Sequence, residues 1–188
     1  MDATEKALAK KTATEITVRE ISVAAGANEA MVRYYFGSKE GLLITMLQNF
    51  MNDGPYARDQ EILELCVNSR SIGPLVDAIS DFYYSHPNVM RMIIVETFNA
   101  TSEVKNAYMK RYSHSTCNLV QTVIDGMKEA GIYRSDIDTA FMTQSLIRLI
   151  IAPIMQPTDA GVPGAPPQAG DSNFAAYIAR TIDSEAKL

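Results

Sequence analysis

The chain of 188 residues has no tryptophan, only two cysteines and only two histidines, and each scarcity excludes a class of chemistry. Cys66 and Cys117 lie far apart and form no Cys-x-x-Cys pair, and His86 and His114 are the only further soft ligands, so no spacing suits a metal or redox centre. The expectation is two reduced thiols filling space as small apolar groups, with no metal and no cofactor. Phosphate loops, nucleophile elbows, His-Glu-x-x-His and dinucleotide fingerprints are equally missing, which argues against an enzyme.

Long hydrophobic runs are missing too. The longest, Leu146 to Met155, is interrupted by Arg148 and Pro153 and falls short of the roughly 20 residues that cross a bilayer. The opening Met1-Asp2-Ala3-Thr4-Glu5 has neither the basic flank nor the cleavage site of a secretion signal. The reading is a cytoplasmic protein with no membrane partner. Nor is there an excess of positive charge: the formal net charge is −5. Non-specific affinity for nucleic acid comes from neutralising phosphates, so the placement of charge decides more than its total. Residues 1–51 carry six basic and six acidic groups, and residues 52–188 hold the whole acidic excess. That larger part is expected to stay off DNA.

What is present is helical patterning. With 47% hydrophobic and 21% charged residues the chain can bury a core, and apolar residues recur at spacings of three and four with no alternating β-branched runs. An all-α fold follows. The spacing predicts a weak first helix over 4–11. Thr17-Val18-Arg19-Glu20 is a capping box that opens a second, over 18–25 with Val18, Ile21 and Ala25 on one face, ended by Gly26. Asn28 caps a third, ended by Gly37, in which Met31, Val32 and Tyr35 face inward with Phe36 behind them. Ser38 caps a fourth, to about residue 51, burying Leu42, Leu43, Met46, Leu47 and Phe50, before a break at Asn52-Asp53-Gly54-Pro55. A domain boundary is placed there, giving 1–51 and 52–188. Further helices are expected over 56–68, 72–85, 87–99, 102–130, 136–155 and 172–185. Residues 156–171 hold four of the eight prolines and three glycines, which predicts a mobile loop.

Two short helices joined by a tight glycine turn form the helix-turn-helix used to enter a major groove, although such pairs also build cores that never meet DNA. The segment Thr17 to Leu43, TVREISVAAGANEAMVRYYFGSKEGLL, resembles the DNA-binding segment of the TetR family of bacterial regulators. The resemblance rests on the Thr-capped helix, the Ala-Ala-Gly turn, the Tyr-Tyr-Phe run and the Gly-Ser-Lys-Glu-x-Leu-Leu that opens the fourth helix. It implies a sequence-specific regulator, usually a repressor, that binds a palindromic operator in double-stranded DNA as a homodimer and answers to a small-molecule effector. The first helix departs from the family pattern, being shorter, without an aromatic near Leu8 and without a basic arm.

On that resemblance, Glu29, Ala30 and Met31 sit nearest the base edges, where Glu can accept from cytosine and Met can touch a thymine methyl. Arg33 reaches a guanine or a phosphate, or else pairs with Glu29 four residues earlier. Arg19 reaches the backbone or stays a solvated charge, Tyr34 and Tyr35 donate hydroxyls to phosphates while packing near Phe36, and Tyr35 is the more core-like. Lys39, at a helix start, is a natural phosphate clamp, with Thr17 and Asn28 as capped helix starts alongside. A ligand pocket is drawn from Phe82, Tyr83, Met92, Glu96, Tyr108 and Tyr112, although such stripes are more often simple core. Glu96 stands in the apolar run MIIVETF, where an unpaired carboxylate is costly. The helix over 136–155 is apolar nearly all round, so a partner chain is expected over Phe141, Leu146, Ile150 and Ile154, with Phe174, Tyr177 and Ile178 from the last helix. A relative that keeps the ligand domain but has lost DNA binding is the alternative.

Overall fold

The computed structural model describes residues 2–155 and 172–187. The loop expected at 156–171 lies outside the described residues. Eleven α-helices appear among those described: α1 Asp2–Leu8, α2 Val18–Ala25, α3 Glu29–Phe36, α4 Lys39–Asn52, α5 Asp59–Ser69, α6 Gly73–Ser85, α7 Pro87–Thr97, α8 Glu103–Arg111, α9 Ser115–Glu129, α10 Thr139–Ile151 and α11 Ser172–Ala186. Short 3-10 turns cover Pro55–Ala57 and Ala152–Met155. The described residues contain no strand, only an isolated bridge between Tyr133 and Lys187. The fold is all-α.

Several helix boundaries differ from the sequence expectation, α5 beginning at Asp59 rather than 56 and α10 running over Thr139–Ile151 rather than 136–155. The first helix stops at Leu8 rather than continuing to 11, because Glu15 reaches back to the backbone N–H and the hydroxyl of Thr12, both at 2.8 Å. Thr12 thereby opens its own turn, into which Glu15 and Ile16 donate their N–H groups. The single helix expected over 102–130 is two helices broken at Tyr112–His114. Ser113 lies in the break and Ser115 and Thr116 follow it, and short hydroxyl side chains offer the backbone alternatives to the helical ladder.

Packing divides the chain into two compact units: Met1–Asp53 with His86–Tyr112, and Gly54–Ser85 with Ser113–Leu188. The first is discontinuous. Within it α1 packs on α2 and α7, α3 on α4, and α4 on α7 and α8, around Leu8, Ile16, Ile21, Val32, Leu43, Leu47 and Ile93. Glu5 and the His86 imidazole are joined at 2.9 Å. In the second unit α5 and α10 both lie against α9, and α6 against α11, burying Leu75, Ile79, Ile124, Met127, Leu146 and Ile150 almost completely.

A buried polar knot ties the second unit together. The Asp183 carboxylate on α11 accepts from the Tyr133 hydroxyl at 2.7 Å and from the Ile72 N–H at 3.2 Å, and Lys187 stands 3.3 Å from its other oxygen. Burial, followed by the bond to Asp183, pushes the Tyr133 hydroxyl far above its ordinary pKa. Burial also raises the Cys66 thiol to about 11, so both groups stay protonated and neutral at ordinary pH.

Candidate nucleic-acid interface

The short helices α2 and α3 owe their stability to their ends more than to their length, since isolated helices of two turns are marginal. At the start of α2 the Thr17 hydroxyl accepts the Glu20 N–H at 3.2 Å, while the Glu20 carboxylate accepts the Thr17 N–H at 3.0 Å. The expected capping box is formed. The carboxyl of Glu20 is held below its usual range first by Lys11 and then by Thr17. Gly26, at φ 62°, takes the left-handed turn that ends α2 and lets the Ala27 N–H return to the Ser22 carbonyl. Asn28 caps α3 by accepting the Ala30 N–H at 2.9 Å. Gly37, at φ 75°, closes α3, and Ser38 caps α4 from the Gly41 N–H.

With both ends fixed, one face of α3 is inward and narrow. Val32 is its only buried residue, with Phe36 half-buried behind it. Met31 and Tyr35, expected to face inward, are 51% and 67% exposed, and Tyr34 is 83% exposed. A helix of two turns laid on α2 and α4 buries a single line of contact, which Val32 and Phe36 already fill. The Tyr34 and Tyr35 rings meet edge to face at 5.1 Å instead of packing into the core. In α2 the buried positions are Ile21 and Ser22, while Val18 is half-buried and Ala25 exposed.

The outward surface therefore carries Arg19, Ala30, Met31, Arg33, Tyr34 and Tyr35, with Glu29 partly exposed at its start. No ion pair joins Glu29 to Arg33 among the described residues. Lys39 behaves differently from the free clamp expected of it. Its ammonium donates to the carbonyls of Ala13 at 2.9 Å and Thr14 at 3.4 Å and is half-buried. Val23, 75% exposed on α2, joins this surface without having been anticipated, although it lies one turn beyond Arg19 and so on the same side of the helix.

The residues expected to line a ligand pocket fall into both units. Phe82 and Tyr83 are buried in the second. There Phe82 meets Tyr56 edge on at 5.7 Å, and the Tyr83 hydroxyl pairs with Thr116 at 2.7 Å. Thr116 also meets the Tyr56 hydroxyl at 3.2 Å, a polar cluster that no periodic signal marks. Met92, Glu96, Tyr108 and Tyr112 belong to the first unit. Met92 and Glu96 border one cleft of about 230 Å³ beside Leu8 and Arg91, while Tyr112 is buried with its hydroxyl on Asn52 at 3.2 Å.

The expected partner surface needs correction. Leu146, Ile150, Ile154, Phe174 and Ile178 are all buried inside their own unit, because α10 is covered by α9, α6 and α11 together. One face of this largely apolar helix is thus covered within one chain. Only Phe141 and Tyr177 of the expected set stay outward, at 73% and 58% exposure, joined by Leu149 and Met155.

Comparison with known proteins agrees with the geometry. Residues 1–46 match the family model of bacterial regulatory proteins, tetR family. The chain is 27% identical over 138 residues to the HTH-type transcriptional repressor NicS of Pseudomonas putida, a match spanning 73% of this chain and 65% of that protein, slightly under two thirds of its length. The fold is similar to that of the ketosteroid transcriptional regulator KstR2 of Mycobacterium tuberculosis, with a TM-score of 0.78 at 17% identity over 100% of this chain and 92% of the other. It is also similar to the TetR family transcriptional regulator PfmR of Thermus thermophilus, with a TM-score of 0.74 at 17% identity, covering 97% and 95% of the two chains.

Proposed function

We propose, from the match of residues 1–46 to the family model of bacterial regulatory proteins, tetR family, and from the likeness to a transcriptional repressor, that the chain is a repressor of that family that grips a palindromic operator as a homodimer and lets go when a small molecule binds. The observation that carries the reading is the outward face of α3, where Arg33 is unpaired with Glu29 and two tyrosine hydroxyls stand in solvent on a helix capped at both ends. A rigid, short helix presenting donors on one side is what groove entry needs.

Residues 1–51 supply the reading surface. Glu29, Ala30, Met31 and Arg33 meet base edges, while Arg19, Tyr34 and Tyr35 meet phosphates. Thr17 and Asn28 hold the two helices at their starts, and Lys39 acts by fixing the Ala13–Thr14 backbone as well as by its charge. Residues 52–188 supply dimerisation and effector binding. The pairing surface is the solvent side of α10 and α11 around Phe141, Leu149 and Tyr177, since the other expected residues are already covered. A two-fold pair sets its reading helices about 34 to 36 Å apart, matching successive major grooves. An effector that favours the arrangement with misplaced reading helices then empties the operator in proportion to its preference for that state.

Selection of genomic fragments by the purified chain tests this. One enriched palindrome, lost on Arg33→Ala and relaxed at one position by roughly 1 to 3 kcal/mol on Glu29→Ala, is the expected result. No enrichment, with the variants indistinguishable from the parent, overturns it in favour of a module that has lost DNA binding.

A further inference from the structure

Glu20 stands on the second helix of a unit read as meeting phosphates, directly after Arg19, where a negative charge works against the contact. Both of its carboxylate oxygens are nonetheless engaged within the chain. One accepts the Lys11 ammonium, and the other accepts the Thr17 N–H and the Thr17 hydroxyl, each at 3.0 Å. The cap on α2 needs only the second of these oxygens, since glutamine closes the same box. The first serves no cap. It reaches nine residues back to Lys11, whose own N–H returns to the Ala7 carbonyl of α1 at 3.1 Å.

The turn between the two helices is anchored separately. Glu15 accepts the Thr12 N–H and hydroxyl, Ile16 is buried, and the Lys39 ammonium of α4 holds the Ala13 and Thr14 carbonyls. With that turn fixed, the freedom left to α2 is its swing against α1, on which it packs, and the Lys11–Glu20 pair spans that junction. Because α2 passes through the Gly26 turn into α3, a rotation of α2 carries Arg19 and the start of α3 with it. We infer that Lys11 and Glu20 are positioning residues for the DNA contact: they touch neither base nor phosphate and act by fixing the angle of α2. This role accounts for a carboxylate where the field of a duplex disfavours one, and it rests on the DNA-binding reading. An exposed pair contributes little to overall stability, so its loss should be felt in recognition rather than in folding.

The signs of the two charges supply the test. Glu20→Gln keeps an acceptor for the Thr17 N–H but releases Lys11, and Lys11→Gln breaks the pair from the other side. Charge alone predicts opposite outcomes, the first variant binding every duplex more tightly and the second more weakly. Positioning predicts the same outcome from both. Affinities of the full chain are measured across a range of salt for the palindrome that the parent enriches and for a scrambled duplex of equal length. Each variant should lose about tenfold in preference for the palindrome, roughly threefold for each of two reading heads. The double variant should lose no more than either single one, Lys11→Arg, which keeps a donor, should retain the parent's preference, and the urea midpoints should not move. If Glu20→Gln fails to fold, Lys11→Gln decides alone: a positioning lysine leaves the salt slope unchanged, whereas a phosphate contact lowers it by about one for each reading head. Tightening of both duplexes by Glu20→Gln, losses that add in the double variant, or urea midpoints that fall in step with the preference would each overturn the assignment and leave the DNA-binding reading in place. A parent that prefers no duplex overturns that reading and the positioning role together.

Discussion

In the unit that holds the helix-turn-helix, apolar spacing leaves Met31, Tyr34 and Tyr35 in solvent, whereas in the other unit the same spacing takes Leu146, Ile150, Phe174 and Ile178 almost completely out of it. The pattern of threes and fours is common to both, and the number of neighbours differs. Helix α3 rests on α2 and α4, while α10 is enclosed by α6, α9 and α11. Amphipathic spacing therefore reports which side of a helix turns inward, but not how wide the covered side is. The two units also differ in how they respond to protons. The helix-turn-helix unit carries lowered carboxyls, Glu15 through the Thr12 backbone first and Glu20 through Lys11 first. Stability from such groups is present above the ordinary carboxylate pKa and is lost as pH falls through the depressed folded value. The other unit carries raised acids: burial lifts the Cys66 thiol from 9.0 to about 11 and the Tyr84 hydroxyl from 10.0 to about 12. Their contribution is complete below the unfolded values and disappears as pH rises through the folded ones.

The largest expected effect is on the enclosed helix. Leu146→Ala should cost roughly 2 to 5 kcal/mol in urea unfolding, by lost transfer energy and the cavity left behind. A cost under about 1 kcal/mol would mean that α10 is less covered than described. Next, Thr17→Ala removes one half of the capping box and should lower the stability of the helix-turn-helix unit by about 0.5 to 2 kcal/mol, read as faster amide exchange across α2. Tyr84→Phe deletes the 2.7 Å bond to the Ile150 carbonyl and should cost about 1 kcal/mol near neutrality. It should also flatten the loss of stability between the ordinary tyrosine pKa and about 12, and an unchanged alkaline profile would remove Tyr84 from the comparison. Smallest for the fold is Tyr177→Glu, within about 0.5 kcal/mol because the ring is exposed. Sedimentation should nonetheless show the pair of chains separating, and an unaltered mass would move the pairing surface off α11.

Much of the helix-turn-helix was legible because local chemistry writes it. Thr17 with Glu20, Gly26, Asn28, Gly37 and Ser38 each specify a backbone conformation within a few residues, and each is found doing so. The break after Tyr112 was not legible, since its hydroxyl-bearing residues compete only weakly with a helix and tertiary packing decides the outcome. Long-range pairings were beyond reach for a different reason. The joining of His86–Tyr112 to the N-terminal helices, the capture of Lys39 by Ala13 and the cover over α10 depend on elements distant in the chain. Spacing along one helix carries no record of them. The resemblance of Thr17–Leu43 to a family supplied the functional reading where spacing alone left the helix pair ambiguous.

The Asp183 knot has a consequence for the order in which the chain can be completed. Its acceptor belongs to α11, and its donors wait at Ile72 and Tyr133, so the second unit cannot satisfy its own interior until nearly all of it has been synthesised. Contacts between residues so distant are slow to form, and during synthesis the earlier helices of that unit are exposed before their covering arrives. The unit that needs only residues up to Tyr112 is free of this delay. A nascent chain would thus carry a finished reading head while the body behind it is still open.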